Sequence, residues 1–451
     1  VPGTPRPVFS PARSKQTVGE VIEADAEAAH AALKCAAAAA PEWNAVPAAE
    51  RAAILERAAA ALEARRAEFA ALIVCEGGRC LADALNEVRE AVDFCRYYAA
   101  EARRTFAEPL RLPGPTGEDN RLSLHGRGVF LCISPWNFPL SIFTGQVAAA
   151  LAAGNPVLAK PAEETPLTAF AAAEIFRQAG IDAPAFQLLP GDGAIGAALV
   201  ADPHVAGVVF TGSTEVARHI NRTLAKRLGP GGQPIPLVAE TGGLNAMIVD
   251  SSALPEQMVA DVLVSAFDSA GQRCSALRLL CLQEEVADGM LAMLRGAMAE
   301  LMVGDPARLS TDVGPVISAS ARDAILAHVD GMAAKGRPLT RASLPEACGA
   351  GTFVAPTLIE IESVAELTRE VFGPVLHVLR FKRAERDKLV AAINATGYGL
   401  TFGLHTRIDE TVEDVAGTIA AGNVYVNRSI IGAVVGSQPF GGHHLSGTGP
   451  K

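Results

Sequence analysis

Cys274 stands in the stretch Ser269-Ala270-Gly271-Gln272-Arg273-Cys274-Ser275, where a thiol could do covalent chemistry. A thiol attacks only as thiolate, and a neighbouring cation or helix N-terminus favours that form. Arg273 is the adjacent cation. A lone cysteine is more often an inert core residue, so this reading needs partners. Three are available. In Ser134-Pro135-Trp136-Asn137-Phe138-Pro139 two prolines restrict the backbone, so Asn137 could present its amide at a fixed place, as an oxyanion donor must. The bland alternative is a turn stapled by Trp136. Glu240 lies beside two glycines in Ala239-Glu240-Thr241-Gly242-Gly243. A carboxylate in an apolar cleft has its pKa raised toward that of a general base. Glu370-Val371-Phe372-Gly373-Pro374 offers a further carboxylate and an aromatic in a turn.

Two glycine-containing junctions compete for a nucleotide phosphate. Gly191-Asp192-Gly193-Ala194-Ile195-Gly196 fits G-x-G-x-x-G, with Glu215 about 20 residues beyond. Phe210-Thr211-Gly212-Ser213-Thr214-Glu215 is also a strand-turn-helix junction, where Gly212 and Ser213 would present amides at a helix N-terminus. Mechanism alone does not separate them. Lys160-Pro161-Ala162-Glu163 offers a cation and a carboxylate that could accept from both hydroxyls of a ribose and would repel a 2′-phosphate, which predicts NAD over NADP. A surface ion pair is the plain alternative. His443-His444 lacks partners at ligand spacing, so no metal is expected.

The elements that must position these residues follow from periodicity. Residues 256–268 read as a helix and 279–282 as an apolar strand, so the Gly271 turn holds the thiol at their joint. From 25 to 104 the pattern is helical, Ala-rich, with apolar positions three and four apart. Short strand candidates flank Pro113-Gly114-Pro115-Thr116-Gly117, a hairpin signal. Between 128 and 243, strands at 129–134, 156–160, 186–189, 207–211 and 235–239 alternate with helices at 141–153, 166–179, 194–201 and 214–228. Strands without polar alternation suit a parallel sheet covered on both faces, which places ligands beyond the strands' carboxyl ends. A second α/β stretch has strands at 246–249, 279–282, 354–360, 375–381, 400–405 and 424–427. The expected organisation is a helical part at 1–106, a hairpin arm at 107–127, a dinucleotide-binding domain at 128–243, a catalytic domain at 244–430 and a substrate-anchor loop with the start of a tail at 431–451.

At 451 residues, with 49% apolar and 20% charged residues, the chain supports large cores and about three domains of ordinary size. The net charge of −10 comes from well-mixed signs, which argues against a nucleic-acid surface. The eight cysteines are scattered without repeated spacing and read as reduced thiols of a cytoplasmic protein. No apolar run reaches the roughly 18 to 20 residues of a membrane span, and no signal peptide is recognisable. The opening VPGTPRPVFSP reads as a linker, and both ends read as cut from a longer polypeptide.

Taken in order, PWNFP, KPAEETP, FTGSTE, ETGG, GQRCS, EVFGP and PFGG resemble the aldehyde dehydrogenase superfamily over nearly the whole chain. The resemblance implies two Rossmann-like doubly wound α/β domains with a projecting β-hairpin oligomerisation arm. It makes Cys274 the nucleophile, Glu240 the base, and Asn137 with the Cys274 amide the oxyanion hole. It assigns Lys160 and Glu163 to the adenine ribose, Gly212 and Ser213 to the pyrophosphate, and Glu370 to the nicotinamide ribose of NAD, with Trp136 and Phe372 beside the cofactor. EVREAVDFCRYYA, AETGGLNAMIVDSSAL, SAFDSAGQRCSALR and IIGAVVGSQPFGG are similar to the glutamate-γ-semialdehyde (1-pyrroline-5-carboxylate) dehydrogenase module of bifunctional proline-utilisation proteins. That likeness implies a substrate carboxylate held by Gly432, Ala433 and Ser275, its aliphatic middle between Phe138 and Phe440, with Arg273 and Glu87 near the pocket. It also implies a proline dehydrogenase partner, on the same polypeptide or separate, and a homodimer where a C-terminal strand completes it. Rival readings are an acyl-transferring enzyme, which would not need Glu240, a dehydrogenase of another aldehyde, and a non-catalytic nucleotide-binding module.

Overall fold

Short apolar strands bury their backbone polar groups only as inner members of a sheet, and the chain builds two such sheets. The computed structural model describes residues 3–450. The first sheet has five parallel strands in the spatial order Phe186–Leu188, Val157–Lys160, Val129–Ile133, Val205–Thr211, Leu237–Glu240. Its strand order reverses between Val129–Ile133 and Val205–Thr211, which opens a crevice at their carboxyl ends. The helices Ser141–Ala152, Pro166–Gln178, Gly193–Ala201 and Thr214–Leu224 connect its strands. The Ala-rich helices Ala26–Ala45, Ala48–Ala64, Arg66–Gly77 and Leu81–Phe106 supply further cover.

The second sheet has seven strands, in the order Leu339–Arg341, Thr357–Ile361, Val375–Phe381, Leu279–Gln283, Ala246–Val249, Thr401–His405, Asn423–Val426. All are parallel except the edge strand Leu339–Arg341, which sequence periodicity does not reveal. Its core includes Met247, Val262, Phe267, Leu280, Leu291 and Leu376, all buried. Leu110–Leu112 and Asn120–Leu122 pair antiparallel as the hairpin expected from the Pro-Gly signal.

The N-terminal linker reading is overturned at residues 6–10, while residues 3–5 are exposed and belong to no strand or helix. Arg6–Ser10 is a strand, paired antiparallel with Arg13–Val21. Pro7 hides the pattern, yet Val8 and Ser10 alternate inward and are buried. Residues 1 and 2 of that reading, and 451 of the tail, lie outside the described residues. The final glycine-rich run is docked: Thr241 N–H donates to the Ser446 carbonyl at 3.0 Å, and Ser446 is fully buried.

Candidate active site

The helix Pro255–Phe267 ends in a single turn, Asp268–Gly271, in which three consecutive residues are left-handed. Ser269, Ala270 and Gly271 have φ of 54°, 55° and 67°. For the two that carry a Cβ this costs on the order of 1–2 kcal/mol each. Gly271 has no alternative, because a Cβ there would lie 2.2 Å from the Gly373 carbonyl oxygen. Side chains hold the turn. Ser269 Oγ donates to Asp83 Oδ2 at 2.8 Å, and Gln272 Nε2 donates to the Ser269 and Pro315 carbonyls at 3.1 and 3.2 Å.

Beyond the turn, buried donors take successive backbone carbonyls. Arg278 is 1% exposed and donates to Gly271 O at 2.6 Å and Arg273 O at 3.0 Å. Asn245 Nδ2 donates to Cys274 O at 2.7 Å and Ala276 O at 2.9 Å, and Thr401 Oγ1 to Ser275 O at 3.1 Å. Cys274 is half-buried and Ser275 buried on this fixed loop. By contrast, burial pushes the Cys80 and Cys95 thiols up to about 12, so neither is a nucleophile near neutral pH. Arg273, the cation expected to favour the thiolate, lies 2.6 Å from Asp83 and 3.7 Å from Asp268, so its charge is largely spent on carboxylates. Burial opposes ionisation of Asp83, but Arg273 and Arg79 hold its carboxyl below the usual range.

Asn137 follows the strand Val129–Ile133, and its Nδ2 donates to the Gln272 carbonyl at 3.0 Å. That bond brings the amide onto the Cys274 loop. Two buried charges brace the Asn137 loop from behind. Glu87 accepts from Leu140 N–H at 2.7 Å and Ser141 N–H at 3.2 Å, and its carboxylate lies 3.4 Å from Arg79. Arg79 donates to the Asn137 carbonyl and lies 4.2 Å from the Phe138 ring centroid; Arg273 lies 5.5 Å from the same ring. Phe138 therefore has two cation–π partners. Burial pushes the Glu87 carboxyl up to about 7, against the pull of Arg79 and the two amides.

Caps distinguish the two glycine-containing junctions. Asp192 accepts from Ala194 and Ile195 N–H at 2.9 and 3.0 Å, so a carboxylate already sits at that helix N-terminus and repels a phosphate. The helix Thr214–Leu224 is capped by the neutral Ser213 hydroxyl, accepting from Val216 N–H at 3.3 Å, beside the crevice where strand order reverses. The second junction has no capping carboxylate, although Glu215 stands in the first turn of its helix. Lys160 is buried, its Nζ donating to Pro161 O at 3.2 Å, and burial lowers its pKa against the pull of Glu163 and Glu164. Glu163 is exposed nearby.

Glu370 reaches this crevice from the second sheet. Its carboxylate is 2.9 Å from Arg278, and a Cβ on Gly242 would fall 1.6 Å from Oε2, so only glycine admits it. Burial raises the Glu370 pKa, opposed by Arg278. Phe372 meets Trp136 edge-on at 5.6 Å and lies 5.2 Å from the Arg278 guanidinium. Glu240 ends a strand of the first sheet, is buried, and accepts from Gly442 N–H at 3.3 Å. The loop 431–440 carries Gly432 exposed and Ala433 and Phe440 half-buried, and Ile430 N–H anchors its start on Ser265 Oγ at 3.1 Å. A Cβ added at Gly432 would meet nothing within 4 Å, but its φ of 80° favours glycine.

Sequence reading missed Asp83, Arg79, Asn245 and Arg278. Arg278 alone carried a signal, as a charge inside the apolar run Ala276-Leu277-Arg278-Leu279-Leu280. The others lie in unremarkable helical or polar text.

The model of the aldehyde dehydrogenase family matches residues 2–451. The chain is 57% identical over 455 aligned positions to the bifunctional protein PutA of Klebsiella aerogenes, covering 100% of this chain and 34% of that protein. The chain thus spans about a third of the length of such relatives. It is 36% identical over 447 positions to the 1-pyrroline-5-carboxylate dehydrogenase of Geobacillus sp. (strain WCH70), covering 98% of this chain and 86% of that one. Among solved structures, 1-pyrroline-5-carboxylate dehydrogenase from Thermus with bound NAD superposes with TM-score 0.93 at 36% identity, over 99% of this chain and 86% of that one.

Proposed function

The chain belongs to the aldehyde dehydrogenase family, and from that premise we propose that it oxidises L-glutamate γ-semialdehyde, the open form of 1-pyrroline-5-carboxylate, to L-glutamate. The observation that carries this reading is the Asn137–Gln272 hydrogen bond, which joins the oxyanion donor to the loop of the nucleophile. The Cys274 thiolate attacks the aldehyde carbon, and the oxyanion formed is stabilised by Asn137 Nδ2 and a backbone amide. NAD, held by Lys160, Glu163, Gly212, Ser213 and Glu370, would supply the hydride acceptor for oxidation of the thiohemiacetal to the thioester. Glu240 then takes a proton from water, which attacks the thioester, releases glutamate and frees the thiol.

Lys160 and Glu163 fit the adenine ribose, Gly212 and Ser213 the pyrophosphate, and Glu370 the nicotinamide ribose, with Trp136 and Phe372 packing nearby. Support comes from the uncharged Ser213 cap at the strand-order reversal and from the glycine that admits Glu370. For the amino-acid head, Gly432 and Ala433 offer N–H groups, Ser275 a hydroxyl, and Phe138 and Phe440 flank the aliphatic middle. Arg273 and Glu87 act from behind, through Asp83 and through the Asn137 loop. A proline dehydrogenase, on the same longer polypeptide or separate, supplies the substrate, and the chain pairs as a homodimer where a C-terminal strand completes the pairing. Among the described residues no helix is long and apolar enough to cross a membrane.

The test is a steady-state assay with pyrroline-5-carboxylate, first with NAD and then with NADP. Turnover with NAD that exceeds turnover with NADP, and exceeds that on simple aliphatic aldehydes in kcat/KM, is expected. Equal kcat/KM for propanal would remove the assigned substrate while leaving the family intact.

A further inference from the structure

A cluster far from the nucleophile loop in sequence ties the first long helix to the dinucleotide-binding sheet. His30 belongs to the helix Ala26–Ala45, while Asp202 and His204 lie in the link between the helix Gly193–Ala201 and the strand Val205–Thr211. His30 Nδ1 is 2.7 Å from Asp202 Oδ2, and His204 Nδ1 is 2.8 Å from Asp202 Oδ1. The His204 backbone N–H also donates to Asp202 Oδ1 at 2.9 Å, which fixes the carboxylate. One ligand atom from each of the three side chains lies within 4.8 Å of the other two, and the imidazole centroids stand 5.7 Å apart, edge to face.

We propose that His30, Asp202 and His204 form a binding site for one divalent transition-metal ion. Two imidazoles and a carboxylate suit zinc, nickel or copper rather than the all-oxygen shells of calcium and magnesium. The side chains of His30, His204 and Asp202 are 59%, 33% and 9% exposed, so the carboxylate forms the floor and the imidazoles the rim. The solvent side leaves positions for water ligands. Bonds of about 2.0–2.2 Å require the three atoms to close around the ion, and the exposed His30 ring would exchange its hydrogen bond to Asp202 for a bond to the ion. The ion would take the place of the hydrogen bonds that now join each imidazole Nδ1 to the carboxylate. The Arg227 guanidinium, held on the Val200 carbonyl at 2.9 Å, is the nearby opposing charge that interacts with Asp202. An ion here would clip residues that are 172 positions apart. Spacing in the sequence could not reveal it. The pair that spacing does offer, His443-His444, belongs to no such three-residue group among the described residues.

The test is calorimetric titration of Ni2+ at pH 7.5 into the full chain, with Cys35→Ser, Cys75→Ser and Cys274→Ala removing the exposed and half-buried thiols that would compete. One saturable ion per chain is expected, weakened about tenfold or more by His30→Gln and by His204→Gln, and unchanged by the double substitution His443→Gln/His444→Gln. His30 is exposed, so His30→Gln keeps the fold, and its melting temperature should lose the rise that Ni2+ gives the parent. The proposal is overturned by the absence of saturable binding, by binding that survives both His30→Gln and His204→Gln, or by loss only on removal of His443 and His444.

Discussion

At the scale of single residues, the site separates into groups that face the substrate and groups that hold them. Cys274, Asn137 and Glu240 are of the first kind in the proposed cycle. Arg278 and Asn245 are of the second, since between them they bind the carbonyls of Gly271, Arg273, Cys274 and Ala276. The division of labour between thiol and carboxylate has a kinetic signature. Glu240→Gln should leave the first, acylating half of the cycle in place and block hydrolysis. A burst of NADH of about one equivalent per site should then be followed by steady turnover reduced about 10²-fold or more. Stopped-flow absorbance reads both phases. Loss of the burst along with turnover would place Glu240 before acylation and contradict the assigned role. Of the residues that hold the loop, Arg278 left a trace in the sequence as a charge inside an apolar run, whereas Asn245 did not, because its meaning is relational. Asn245 is one polar residue among many until Cys274 and Ala276 arrive beside it.

At the scale of elements, the two sheets meet the crevice with opposite ends. Asn137, Gly212 and Glu240 lie at the carboxyl ends of the first sheet's strands. Asn245, the Cys274 loop, Glu370 and Thr401 lie at the amino ends of the second sheet's strands. The strand Val375–Phe381 also ties the nucleophile loop to the helix Ala319–Ala334. His377 Nδ1 is 3.1 Å from the Arg278 carbonyl and its Nε2 is 2.9 Å from His328 Nε2. A carbonyl only accepts, so Nδ1 carries the proton of neutral His377, and Nε2 accepts from His328. Burial, with His328 second, holds His377 down to about 4. The unfolded chain therefore takes up a proton between pH 6.5 and 4 that the native chain refuses, and stability falls as pH drops through that window. The contribution is at most about 3 kcal/mol. His377→Asn should flatten the decline of the urea midpoint between pH 6.5 and 4.5, though not abolish it, because burial also lowers the His328 pKa. An unchanged slope would show that His377 does not titrate across folding.

At the scale of the whole molecule, the hairpin Leu110–Leu112/Asn120–Leu122 carries apolar side chains into solvent. Leu110, Leu112, Leu122 and Leu124 are all exposed. A two-stranded hairpin with such a surface is marginal alone and gains stability where a second surface covers it. In the homodimer proposed above, Leu110→Asp with Leu122→Asp should shift the mass in light scattering from dimer to monomer while leaving the fold intact by circular dichroism. A dimer of unchanged strength would move the interface elsewhere. The alternation of strands and helices between 128 and 243, the parallel character of both sheets and the candidate site residues were read from the sequence alone. They depend on periodicity, turn chemistry and local residue type, which are properties of neighbours along the chain. Tertiary structure decided the rest. Only the folded chain shows that Arg6–Ser10 is a strand, that Asp192 bars one glycine-containing junction to phosphate, and that Arg273 pairs with Asp83. Only there do Arg79 and Glu87 brace Asn137, and His30 meet Asp202 and His204. Each is a contact between segments distant along the chain or a choice among local alternatives, and its energy depends on burial and partner geometry that no local pattern encodes.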